Sequence, residues 1–282
     1  MKKVAIVGAG ISGLYLANEL NKNTEIDYKI FEKKDYLNLN EGYGIQLSVN
    51  SINLLNKVGF KNISASDVYY PTKVNFFQAN NIKKICEIDL KQFNNVNDRY
   101  TTLKRSTLIK FLIGNIPEEK IQFKADIQNI EYNEKIKISW NNKNESFDYI
   151  VIADGVFSKL KSQISNNHLN PIFNGNIALR ANLKQHEKDN ISVYMGSNFH
   201  YVTYPVNQKL EYNFVAIIKK KLTTKEIEDK NILNSETFIK SLKDFISKNS
   251  IINLESLANI KCFPVFVSTE LPTLKSVSYT HL

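Results

Sequence analysis

Gly8, Gly10 and Gly13 stand in the run Gly8-Ala9-Gly10-Ile11-Ser12-Gly13, directly after the apolar residues 4–7. Glycines at this spacing, placed between a strand and a helix, suit a pyrophosphate. The first permits a tight turn, the second lets the backbone approach the phosphates, and the third lets helix and strand pack closely. The helix start around Ser12 then offers unpaired N–H donors and the positive end of a dipole to an anion. Glu32 ends the next apolar stretch, 19 residues after Gly13, where an acid can grip ribose hydroxyls. A carboxylate there repels a 2′-phosphate, so the expected dinucleotide is FAD or NAD rather than NADP.

A second candidate lies at Asp154-Gly155, which closes the apolar residues 149–153. Gly155 allows a tight exit from a strand, and backbone donors there can hold the Asp154 carboxylate. Cys86 and Cys262 form neither a CxxC pair nor a Cys/His cluster, so no metal site and no dithiol redox centre is expected.

The elements that must carry these residues can be read from hydrophobic period. Residues 4–7 suit a buried parallel strand, and Leu14, Ala17 and Leu20 repeat at helical spacing. Residues 28–31 form a second strand, and residues 49–58 a helix ending at Gly59. From Lys73 the pattern changes to short alternating runs expected of antiparallel strands. Residues 106–113 return to helix, and residues 127–130, 136–140 and 149–153 are further strands, the last continuously apolar and so expected to be central. After about residue 172 the chain is mostly strand (177–183, 192–195, 200–206 and 212–218), followed by a polar helix over 235–247. The expected fold is α/β plus mostly antiparallel β.

Composition narrows the class. Hydrophobic residues at 43% and charged residues at 23% fit an enzyme-sized globular protein rather than disorder. The net charge of +9 favours anionic partners without choosing among them, and no Lys/Arg block stands beside aromatic residues. Nucleic acid is therefore not expected as a partner. Reduced thiols and the lack of a long apolar span point to a cytoplasmic protein.

Several separated segments together resemble the group A flavoprotein monooxygenases, the family of para-hydroxybenzoate, salicylate and 3-hydroxybenzoate hydroxylases and of ubiquinone-biosynthesis hydroxylases. The resemblance covers nearly the whole chain. Gly42-Tyr43-Gly44-Ile45-Gln46-Leu47-Ser48-Val49-Asn50 is similar to the family's segment beside the flavin ring, which implies that Gly44, Ile45 and Gln46 lie near the isoalloxazine. Leu103-Lys104-Arg105-Ser106-Thr107-Leu108 resembles the helix whose leading Arg105 reaches the FAD phosphates with its planar fork. Ile127 matches a position packing near the adenine, and residues 148–158 resemble the Asp-Gly motif approaching the pyrophosphate. Relatives commonly place Arg after the serine of that motif, where this chain has Lys159 and Lys161.

The second half resembles the salicylate-hydroxylase branch most closely. Ala178-Leu179-Arg180 looks like the strand that places an Arg near the substrate cavity, and residues 194–206 look like the following strand pair. Alternate residues of a strand share a face, so His200, Val202 and Tyr204 should point one way. His200 and Tyr204 could there orient and deprotonate a phenolic substrate.

The resemblance implies a Rossmann-like FAD-binding domain interleaved with a substrate domain covering the flavin. The boundaries expected are 1–72 and 98–172 for the FAD-binding parts, 73–97 and 173–269 for the substrate domain, and 270–282 for a truncated or foreign tail. It implies FAD as cofactor, NADH or NADPH as co-substrate, and hydroxylation of a small phenolic or carboxylated aromatic by molecular oxygen. A quinone-precursor hydroxylase, which could touch a membrane peripherally, another flavoprotein oxidoreductase of this fold, or an inactive FAD-binding fragment stay open as alternatives. Residues 276–282 do not continue the family pattern, and its later Gly-Asp motif is absent, so a truncated sequence is expected. The oligomeric state is left open.

Overall fold

Val4, Ala5, Ile6 and Val7 are buried in the first strand, which pairs in parallel with a strand on each side. The computed structural model describes residues 1–39, 42–164, 170–183, 189–209 and 211–268. The tail expected over 270–282 lies outside the described residues.

In chain order the elements begin with β1 (Lys2–Val7), α1 (Ile11–Leu20), β2 (Ile26–Phe31), β3 (Gly44–Leu47) and α2 (Val49–Lys57). Next come β4 (Val68–Tyr69), β5 (Lys73–Gln78), β6 (Lys84–Asp89), β7 (Thr101–Lys104) and α3 (Arg105–Gly114). Then follow β8 (Ile121–Gln122), β9 (Asn129–Tyr132), β10 (Ile136–Trp140), β11 (Lys143–Phe147), β12 (Tyr149–Ile152) and α4 (Lys161–Ile164). The remainder comprises β13 (Ile172–Leu183), β14 (Ile191–Met195), β15 (Phe199–Pro205), β16 (Tyr212–Lys219), α5 (Thr224–Glu228), α6 (Lys230–Leu233), α7 (Glu236–Asn249) and β17 (Leu257–Val267).

By packing, the chain divides into two compact units. One comprises Met1–Leu39, Ile109–Ile172 and Val267–Leu282, and the other Asn40–Leu108 and Phe173–Phe266.

The first unit holds a parallel sheet in the order β12-β1-β2-β8. A three-stranded antiparallel meander, β11-β10-β9, encloses a core of Ala5, Val7, Phe31, Ile138, Trp140 and Phe147 with it. Phe31 meets Trp140 and Phe147 edge to face, with ring centroids 4.9 and 5.7 Å apart. Two sequence expectations change here. The apolar strand β12 lies at an end of the described sheet, not its centre, with Tyr149 46% exposed. Its continuous apolar run reflects what packs on its faces, where Ile150 and Ile152 meet the meander core, and period alone cannot show how many strands flank it. The strand expected over 127–130 begins at Asn129, and Ile127 precedes it, buried with Ala125 and Ile130.

The second unit is organised around a sheet in the order β17-β13-β16-β15-β14-β5-β6, with a smaller sheet β3-β7-β4. In the large sheet β13 pairs β16, β16 pairs β15, β15 pairs β14 and β5 pairs β6 antiparallel, while β14 pairs β5 in parallel. One face buries Ile177, Leu179, Phe214, Ala216, Phe199 and Tyr201 beneath α7. The sequence of α7 reads as polar, yet Phe238, Leu242 and Ile246 recur every fourth residue and are buried, giving the helix one apolar stripe. Ser235 caps it by accepting the Phe238 N–H at 3.3 Å. The opposite face of the sheet presents Arg180, His200, Tyr204 and Asn213. Among the described residues, no helix is long and apolar enough to cross a membrane.

Candidate functional site

At the carboxyl ends of β1 and β12, the backbone alone shapes the glycine turn. Gly8 has φ +105°, and a Cβ there would stand 2.5 Å from the Ala153 carbonyl oxygen. A Cβ on Gly13 would fall 2.0 Å from the Gly8 oxygen, so α1 can cross close to the turn only as glycine. Gly10 differs, because a Cβ on it would meet nothing nearer than the same Ala153 oxygen at 4.0 Å. The protein's own packing therefore does not require Gly10 to be glycine, as expected where the space belongs to a bound group. Gly10 is also the N-cap of α1, with no side-chain cap, and the helix ladder starts with the Leu14 N–H donating to the Gly10 carbonyl at 2.9 Å. The N–H groups of Ile11, Ser12 and Gly13 lie ahead of that ladder, and Ser12 is exposed beside them.

Glu32 is buried at the end of β2. One carboxylate oxygen accepts the Ala9 N–H at 2.9 Å and the other the Lys34 N–H at 3.1 Å. Asp154 follows β12, and Gly155 beside it has φ +93°. One Asp154 carboxylate oxygen is buried without a hydrogen-bond partner among the described residues. Burial raises the Asp154 pKa above the ordinary carboxylate value, opposed by a hydrogen bond from Ser158 and the charges of Lys161 and Lys33. A cradle at Gly10 and the helix N–H groups ahead of the ladder fit a dinucleotide phosphate, and the unpartnered Asp154 oxygen fits a hydroxyl donor beside it. A cavity of about 600 Å³ lined by Met1, Lys2, Glu25 and Asp148 lies at the opposite ends of these strands, away from the turn.

In the second unit, cross-strand register puts Arg180 opposite Val215, Val215 opposite Val202, and Asn213 opposite Tyr204. His200, Val202 and Tyr204 thus share a face of β15 with Arg180 and Asn213, opposite the α7 side. Strand β3 lies against this face: a Cβ on Gly44 would stand 2.6 Å from Asn213 Cβ and 2.8 Å from the Tyr204 ring. The Asn213 side-chain Oδ1 accepts the Gly44 N–H at 2.7 Å, and the Thr102 hydroxyl of β7 donates to the Pro205 carbonyl at 2.6 Å. Gln46 accepts a hydrogen bond from Tyr100 at 2.8 Å and also acts on Tyr204, near the charge of Arg180. Ile45 alternates with Gly44 and Gln46 and pairs with Leu103, while Arg105 opens α3 and donates its N–H to the Tyr43 carbonyl at 2.9 Å.

Electrostatics separates the two candidate acid–base residues. Burial pushes the Tyr204 phenol far above its ordinary value, with Arg180 and Gln46 pulling part of the way back, so the phenol keeps its proton and serves as a donor. Burial lowers the His200 pKa below 6.5, which leaves a neutral imidazole at pH 7. Four residues of strand hold them about 13 Å apart, so they share a face without meeting at one atom.

The structure gathers Gly8, Gly10, Ser12, Gly13, Glu32, Asp154 and Gly155 around one turn, and Gly44, Gln46, Arg180 and Tyr204 on one sheet face. His200 stands farther along that face, and Ile127 sits in the meander core. Sequence reasoning missed Tyr100, Asn213 and Thr102, which hold Gln46, Gly44 and β15 from other strands. It also missed Asp98, a buried carboxylate receiving amide hydrogen bonds from Asn53, Asn56 and Asn95 at 3.2, 2.9 and 3.0 Å. The cluster of Asn residues before Tyr100 was the available signal.

Residues 6–40 match the NAD(P)-binding Rossmann-like domain. The salicylate hydroxylase of Pseudomonas putida is 24% identical over 237 residues, 76% of this chain and 54% of that protein. A FAD-dependent monooxygenase of Gibberella zeae is 25% identical over 170 residues, 57% of this chain and 36% of that protein. The chain thus spans about half the length, or less, of these curated relatives. Among solved structures, Klebsiella pneumoniae HpxO complexed with FAD and uric acid superposes with a TM-score of 0.78 at 15% identity, covering 94% of this chain and 68% of that one. A salicylate hydroxylase substrate complex gives 0.71 at 16% identity, covering 94% and 68%. The chain is thus similar in sequence to FAD-dependent monooxygenases and to salicylate hydroxylase, and it shares the fold of these flavin-binding structures.

Proposed function

We propose that this chain binds FAD and belongs to an NAD(P)H-dependent monooxygenase that hydroxylates a small phenolic or carboxylated aromatic. The glycine turn carries the reading, because Gly10 is open where Gly8 and Gly13 are closed by the protein itself. Its relationship to FAD-dependent monooxygenases, and the FAD and uric acid held by HpxO, support the same class of ligand. Bound FAD supplies the redox and oxygen chemistry.

The chain's own residues bind and orient. The turn, Ser12 and the start of α1 hold the pyrophosphate, with Asp154 and Gly155 beside it, Glu32 takes the ribose, and Ile127 packs toward the adenine. Gly44, Ile45 and Gln46 line the flavin ring. Tyr204 donates to a substrate oxygen beside Arg180 and Gln46, and neutral His200 accepts a proton. The domain boundaries expected from the sequence and a cytoplasmic location are part of this proposal. Free thiols at Cys86 and Cys262 support the latter.

Full-length protein should purify yellow with FAD, and labelled oxygen should enter a hydroxylated aromatic product when NAD(P)H is supplied. Binding of FMN but not FAD would overturn the cofactor assignment. Failure of label to enter any product across a broad aromatic panel would favour a reductase or a binding protein instead.

A further inference from the structure

The Glu32 carboxylate touches the turn itself. Its Oε2 accepts the Ala9 N–H at 2.9 Å, in the middle of the Gly8-Ala9-Gly10 segment, and its Oε1 accepts the Lys34 N–H at 3.1 Å. The backbone of Glu32 is fixed on both sides, its N–H donating to the Gln122 carbonyl and its carbonyl accepting the Ala125 N–H, both at 2.9 Å. Gly8 is tied to the same strand end, its N–H donating to the Phe31 carbonyl at 2.8 Å. The turn therefore hangs from the end of β2 at two successive residues, one bond through backbone and one through a buried carboxylate. Gly8 adopts a left-handed conformation that a flexible loop would not hold by itself, and a charged acceptor makes the stronger kind of hydrogen bond.

We propose that Glu32 is a positioning residue for the phosphate turn: it fixes the Ala9 amide, and with it the opening at Gly10, before any sugar is bound. The inference rests on the dinucleotide reading but adds a second task for this side chain. Each carboxylate oxygen keeps a further lone pair, so the clamp and a ribose contact are compatible. Glutamine cannot reproduce the clamp, because its amide offers one acceptor and one donor where two N–H groups require two acceptors.

The two roles predict opposite signs for a phosphate ligand without a sugar. If Glu32 only grips ribose, Glu32→Gln removes a negative charge beside an anion site, and inorganic pyrophosphate should bind as well as before or better. If Glu32 positions the turn, pyrophosphate affinity should fall together with FAD affinity. The measurement is competition of inorganic pyrophosphate against FAD on the full chain, for wild type, Glu32→Gln and Glu32→Asp. It is paired with amide hydrogen exchange at Ala9 in the nucleotide-free proteins.

The expected result is exchange at Ala9 faster by about tenfold in Glu32→Gln, with exchange in β16 unchanged and pyrophosphate affinity reduced. Should Glu32→Gln fold poorly, Glu32→Asp gives the same comparison with the charge kept and the reach shortened. Unchanged Ala9 exchange with pyrophosphate binding retained would overturn the clamp and leave Glu32 as a sugar ligand. Faster Ala9 exchange in a protein whose wild type binds no dinucleotide would uphold the clamp and overturn the cofactor reading instead.

Discussion

The turn at Gly8 to Gly13 takes its shape from backbone atoms, while the surroundings of Tyr204 are assembled from side chains on β3, β7, β13, β15 and β16. In the turn, the would-be neighbours of a Cβ at Gly8 and Gly13 are carbonyl groups of Ala153 and Gly8, which cannot step aside. At Gly44 they are the Asn213 Cβ, a Val206 methyl and the Tyr204 ring, all buried, which can move only as their strands adjust. A backbone-built site tolerates little change and is written in a short motif. A side-chain-built site depends on register across a sheet and can be retuned strand by strand.

The largest expected effect tests the turn at its one open position. Gly10→Val should abolish FAD binding while leaving the folded protein intact, because the new side chain occupies ligand space and not protein space. FAD content and the thermal midpoint, measured on one preparation, separate the two. A variant that stays yellow would remove the turn from the cofactor site.

On the sheet face, Tyr204→Phe and His200→Ala should reduce hydroxylation on the order of 10²–10⁴-fold with FAD content nearly unchanged. The 13 Å between them, about four strand residues, predicts that the variants differ in kind. Tyr204→Phe, which loses a donor next to Arg180, should act mainly on substrate binding, and His200→Ala mainly on turnover. Identical losses in KM and kcat for both would contradict this division.

A third comparison sets glycine against glycine. Gly13→Ala should destabilise the protein by about 3 kcal/mol in urea unfolding, because a backbone carbonyl blocks the methyl group. Gly44→Ala should cost less, about 2 kcal/mol, since its blocking atoms stand farther off than the Gly8 carbonyl and belong to side chains. Equal costs would mean that the turn relaxes as easily as the sheet face.

The smallest effect concerns pH. Burial lowers the His200 pKa, so the unfolded chain takes up that proton first as pH falls below 6.5. Stability should therefore drop as pH falls below about 6.5, and His200→Gln should lessen the drop. Asp98 and Asp27, held below the ordinary carboxylate range chiefly by hydrogen bonds from Asn95 and Lys120, lose their stabilisation at lower pH, as they protonate. A pH profile unchanged by His200→Gln would show that the imidazole is as well solvated folded as unfolded.

The glycine spacing, the acid after β2 and the alternation of β15 were legible because each is local: a few consecutive residues carry the turn, the strand period and the strand end. They determined the Rossmann-like start, the shared face of His200 and Tyr204, and the class of cofactor to expect. Whether β12 is flanked on one side or two could not be read, since an apolar run records burial of its faces and not its edges. The stripe of α7 was hidden because Phe238, Leu242 and Ile246 are scattered among Lys, Ser and Asp, and only the packed sheet shows which residues face inward. Tertiary structure alone decided that Asn213 holds Gly44, that Tyr100 reaches Gln46, and that Glu32 bonds the Ala9 amide. These contacts join residues 169, 54 and 23 positions apart, and no local pattern fixes a hydrogen bond between segments that meet only when the sheets have formed.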